Sequence, residues 1–77
     1  MRRRWGRTPV QSSAIAAVGY DEAAQTLEIE FRSGAVYRYS KVPPTIYHGL
    51  LDADSKGRFY NRNIRRHFRA RKIAPSR

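Results

Sequence analysis

The chain lacks cysteine, has only two histidines, His48 and His67, and carries no acidic residue after Asp54. Without cysteine there is neither a disulfide framework nor a thiolate metal site, and two histidines so far apart cannot supply the usual zinc set unaided. Long hydrophobic runs are also missing. The longest nearly apolar stretch, Ala14 to Tyr20, is far short of the roughly 20 residues that cross a bilayer. The start, MRRRWGRTPVQSS, is positive like an export signal, yet Pro9, Gln11 and two serines stand where an apolar segment of about 7–15 residues is required. A cytoplasmic protein without a membrane partner is therefore expected. The five glycines are scattered, and none builds a phosphate-cradling GxGxxG or GxxxxGK loop. Neither histidine has an obvious carboxylate neighbour, Asp52 and Asp54 suit helix capping better than acid chemistry, and Ser12 and Ser13 lack a base at identifiable spacing. A 77-residue chain buries only about 60% of its unfolded surface, too little for a large catalytic cleft. No catalytic residue, metal or cofactor is expected, and the protein reads as a non-enzyme.

What is present is charge of one sign. The net charge is +10 and it sits at the ends. Arg2, Arg3, Arg4 and Arg7 occupy the first eleven residues, and nine basic side chains with no acid occupy residues 56–77. Between them Arg32, Arg38 and Lys41 are outnumbered by Asp21, Glu22, Glu28, Glu30, Asp52 and Asp54. Two basic ends around an acidic body imply an anionic partner, because clustered positive charge repels itself until something offsets it.

Along the chain, residues 1–11 read as a basic flexible arm, 12–70 as a folded domain and 71–77 as a basic tail. Trp5 is the arm's large apolar group, either a loosely packed terminal residue or a stacking platform for a base. A first strand lies within Ser12–Tyr20. Thr26–Arg32 alternates strictly, with Leu27, Ile29 and Phe31 on one face and charged residues on the other, which is the signature of a half-buried strand. Ser33-Gly34 reverses it into a third strand, Ala35–Ser40. A three-residue loop, Arg32–Gly34, pairs Ile29 with Tyr37, Leu27 with Tyr39 and Glu28 with Arg38. That register joins apolar bodies on one face and opposite charges on the other, and it is preferred to a two-residue turn. Tyr37 and Tyr39 then belong to the core. Pro43 or Pro44 opens a short helix through Asp52, and Ser55 or Asp54 caps a second helix running to about Ala70. The fold class is α+β: a three-stranded antiparallel sheet followed by two helices (βββαα) packed on one face.

On the second helix, Tyr60, Ile64 and Phe68 gather on one side, while Arg58, Arg62, Arg65, Arg66, Arg69 and Lys72 fill an arc of about 120° opposite. The bland explanation is a solvated face. Such faces normally mix signs, and this one has no acid, so it is read as a phosphate-binding surface.

The segments SSAIAAVGYD, LEIEF, SGAVYRYSKVP and DSKGRFYNRNI, in this order and spacing, resemble the KTSC domain, a module named for its occurrence at the C-terminus of some lysyl-tRNA synthetases and also found as small bacterial proteins. The resemblance covers about Ser12 to Phe68 and rests on Tyr37-x-Tyr39, Val42-Pro43 and Ser55-x-Gly57. It implies a setting near RNA. The basic arm and tail lie outside the pattern. The expectation is a module that binds nucleic acid, RNA rather than DNA, with the six helical cations and Arg2, Arg3, Arg4, Arg7 on phosphates and Trp5 beside them. The alternative is an interaction module for an acidic protein of the translation or transcription machinery, as in a small bacterial or phage regulator. An exposed apolar patch at Trp5, Tyr20 or Tyr60 would mark it.

Overall fold

Alternation along Thr26–Phe31 organises the computed structural model, which describes residues 7–74. β1 (Thr8–Pro9), β2 (Ile15–Asp21), β3 (Thr26–Phe31) and β4 (Val36–Tyr39) precede α1 (Pro44–Asp52) and α2 (Lys56–Asn63), and β5 (Ala70–Ala74) closes the chain order. The strands form one antiparallel sheet in the order β1-β2-β3-β4-β5. Leu27 and Ile29 of β3 are fully buried with Val18, Tyr39, Val42, Leu50 and Ile64, so both helices cover the same face of the sheet. Among the described residues, no helix is long and apolar enough to cross a membrane.

The central hairpin has the three-residue loop. The Phe31 N–H donates to the Ala35 carbonyl at 2.9 Å, and Gly34 takes φ 98°, a value at which a side chain would be strained. Leu27 faces Tyr39, Glu28 faces Arg38 and Ile29 faces Tyr37. β2 carries an irregularity between Ile15 and Ala17, which lets Ile15 and Val18 both enter the core.

Pro43 is extended and Pro44 opens α1, where a missing N–H costs nothing. The Ser55 hydroxyl accepts the Arg58 N–H at 3.2 Å and caps α2. The two helices approach closely at Gly49, where a Cβ would lie 2.7 Å from the Phe59 ring.

The expected βββαα order needs two corrections. β1 joins one edge of the sheet, pairing Thr8 with Val18 and Pro9 with Ala17; proline is tolerated at an edge, where it lacks only an outward donor. β5 joins the other edge, so residues 70–74 are sheet, neither the last turn of a helix nor a free tail. α2 stops at Asn63. There the N–H groups of Ile64 and Arg65 both donate to the Tyr60 carbonyl, at 2.9 and 2.8 Å, and Arg66 turns the chain with φ 69°. The physical reason is competition. Helix propensity favours continuation by only tenths of a kcal/mol per residue, whereas the outer edge of β4 offers a row of backbone groups that need partners.

Candidate nucleic-acid interface

The early end of α2 redistributes the cations. Arg58 and Arg62 remain on the helix, while Arg65, Arg66 and Arg69 lie between α2 and β5 or at its entrance, and Lys72 is on β5. The single helical arc drawn from the sequence is therefore divided at Ile64. All six side chains are exposed, as is Arg71.

Three hollows receive them. Arg58 and Arg62 line one of about 220 Å³ that also contains Asp54, Ser55 and Phe59, so its charge is mixed. Arg69 and Arg71 line a second, of about 380 Å³, beside Ser40 and Ala70. The third, a cleft of about 550 Å³, has Arg65, Arg66 and Lys72 around Phe31, Tyr37, Tyr39, Tyr60 and Phe68, and no carboxylate among the described residues that line it. Lys72 reaches this cleft because β5 sets it opposite Tyr37.

Arg7 is placed differently from the other expected contacts. Its guanidinium pairs with Glu28 and approaches Glu30 at 3.4 Å, so its charge is already engaged inside the protein. Arg2, Arg3, Arg4 and Trp5 lie outside the described residues. Neither His48 nor His67 is buried.

The sequence reading missed the aromatic cleft. It assigned the tyrosines of β4 to the core, which is true of Tyr39, only 2% exposed. Tyr37 is half-buried and forms an edge contact with Phe31, centroids 5.9 Å apart. Tyr60 packs edge-on to both Phe31 and Tyr39. The signal that could have found the cleft is the recurrence of aromatics at Tyr37, Tyr39, Tyr60 and Phe68 beside the basic run.

The Tyr39 and Tyr60 hydroxyls bond to each other at 2.7 Å. Burial, reinforced by this bond, raises the Tyr39 phenol above its ordinary value, against a smaller opposing pull from Arg65. Above pH of about 10 the unfolded chain releases a proton that folded Tyr39 keeps, so stability must fall as pH rises past that point. Urea unfolding at pH 8, 9.5 and 10.5 should show this loss, and Tyr39→Phe should show a shallower one. Equal slopes in both proteins would assign the alkaline sensitivity elsewhere.

A meander sheet with two helices on one face, an aromatic cleft and a cationic rim together describe a small α+β domain. The KTSC domain family profile matches residues 11–68. The chain belongs to the KTSC domain family. A crystal structure of a KTSC domain protein from Yersinia pestis superposes with a TM-score of 0.88 at 41% identity, covering 91% of this chain and 99% of that one. An uncharacterized protein of Stutzerimonas stutzeri is 48% identical over 64 residues, 82% of this chain and 90% of its own length. A lysine–tRNA ligase of Nostoc punctiforme is 41% identical over 64 residues, 83% of this chain but 11% of the ligase.

Proposed function

We propose that the protein is a non-enzymatic, cytoplasmic module that binds RNA through phosphate contacts. The observation that carries this reading is the set of exposed cations in the acid-free run from Arg58 to Lys72. Among the described residues the salt bridges end on Arg7 and Arg38, so the cations of that run remain available to an anion. Similarity to part of a lysine–tRNA ligase favours RNA over DNA. Phosphate contacts give affinity with little dependence on sequence.

Titration of labelled tRNA, single-stranded RNA and duplex DNA at several salt concentrations tests it. Engaging about five phosphates gives a log–log salt slope near −4. Changing Arg62, Arg65, Arg66 and Arg69 together to Gln should flatten that slope by about 3. No binding at low salt would end the reading and leave the second one, an acidic protein partner. One observation favours that second reading: Ile73, 37% exposed on the edge strand β5. Of the positions expected to carry an apolar patch for it, Tyr20 and Tyr60 are half-buried, and Trp5 lies outside the described residues.

A further inference from the structure

We propose that the cleft between β4, β5 and the turn after α2 accepts one unpaired nucleotide, its base against the rings of Tyr37 and Phe68 and its phosphates on Arg65, Arg66 and Lys72. This rests on the nucleic-acid reading above and deepens it by assigning a base site.

Chemistry of two kinds meets in the cleft. Its floor is aromatic: Tyr39 is buried, but Phe31, Tyr37, Tyr60 and Phe68 are only half-buried, which leaves ring surface for a ligand. Its rim is cationic, with three exposed basic side chains and no carboxylate among the lining residues. A free phosphate would use only the rim and an apolar peptide only the floor. A nucleotide uses both, because every base has a π-face and every linkage a negative charge. A paired base hides its faces in the stack, so the ligand is single-stranded or splayed out.

Size and polarity agree. The volume of about 550 Å³ lies within the roughly 300–1,000 Å³ of small-molecule clefts. Ala35 and Ala70 line the cleft beside the rings and keep it open. The mutual bond of the Tyr39 and Tyr60 hydroxyls uses one of their two hydrogens, so the other can be donated to a carbonyl or ring nitrogen at a base edge.

The test uses the whole protein and hexamers of uridine carrying one 2-aminopurine, made as RNA and as DNA. Stacking in the cleft should quench the 2-aminopurine, and Tyr37→Leu should weaken binding roughly 10-fold, within the range for loss of one base–aromatic stack. Quenching in either hexamer supports the site, and the pair shows which sugar it takes. In parallel, amide shifts of the wild-type protein are followed with adenosine monophosphate and with ribose 5-phosphate. Shifts at Tyr37 and Lys72 with the nucleotide and not with the sugar phosphate support a base site even if Tyr37→Leu does not fold. Salt-dependent binding without quenching, and equal shifts with both small ligands, would overturn the base site while leaving the phosphate-binding function. No binding of any hexamer, tRNA or mononucleotide at low salt would overturn both.

Discussion

Ile64→Ala should lower stability by about 3 kcal/mol, inside the 2–5 kcal/mol typical of large-to-small changes in a close-packed core. Ile64 is fully buried among β2, β3, β4 and α1 residues, and it ends α2 with its N–H on the Tyr60 carbonyl. Truncation removes three carbons from the centre of a small core that cannot easily collapse around the gap. For a domain of this size 3 kcal/mol corresponds to a fall in Tm of about 12–24 °C. Ile64→Val, which loses one carbon, should cost only about 1 kcal/mol. Thermal and urea unfolding of the two variants measure this directly. Near-equal losses would mean that the terminal methyl, which both variants lack, makes most of the buried contact. Because Ile64 immediately precedes Arg65 and Arg66, the alanine variant should also blur the cleft rim, and its nucleic-acid affinity should fall along with its stability.

The register of the central hairpin was legible because two local rules agreed. Strict alternation fixed which side of β3 faces inward, and only the three-residue loop set Leu27 and Ile29 against Tyr39 and Tyr37 while joining Glu28 to Arg38. The cap at Ser55 and the proline start of α1 were legible for the same reason, since each is decided within a few residues. The end of α2 was not. From Arg58 to Lys72 there is no proline or glycine, and Tyr60, Ile64 and Phe68 satisfy a helical wheel. The helix ends at Asn63 and the chain reverses at Arg66, a non-glycine residue with positive φ, where no proline or glycine warns of it. What decides it is the unpaired edge of β4, a long-range demand that sequence spacing does not display. The inward residues were still identified, because Tyr60 and Ile64 point inward from α2 and Phe68 returns to the same core from the turn. The candidate site was thus legible as a set of cations but not as a shape: the aromatic floor appears only when β5 brings Lys72 beside Tyr37.

Glu28→Ala should cost about 2 kcal/mol, because this charge is buried where alternation along β3 predicts solvent. Glu28 lies on the face of β3 away from the helices, yet its side chain is 1% exposed. It is covered by the Arg7 guanidinium and by Arg38, whose Nη2 and Nε donate to Oε2 at 2.8 and 3.2 Å. Removing one member of a buried ion pair commonly costs about 3–5 kcal/mol because the remaining charge is stranded. Here Arg7 and Arg38 keep 32% and 36% of their side-chain surface and can turn toward water, which reduces the loss. The variant should also loosen β1, since Arg7 directly precedes that strand. Faster exchange of the Val10 amide, which donates to the Ala16 carbonyl at 3.1 Å, would report it. A loss under about 0.5 kcal/mol with an unchanged Val10 amide would reduce the triad to an ordinary surface pair. The same substitution separates stability from binding. Losing Glu28 removes a negative charge and leaves Arg7 only Glu30, at 3.4 Å, so a less stable protein should bind single-stranded RNA at least as tightly as before. Ile64→Ala, by contrast, should lower stability and affinity together, and this difference would distinguish the sheet's own charge network from the proposed nucleic-acid interface.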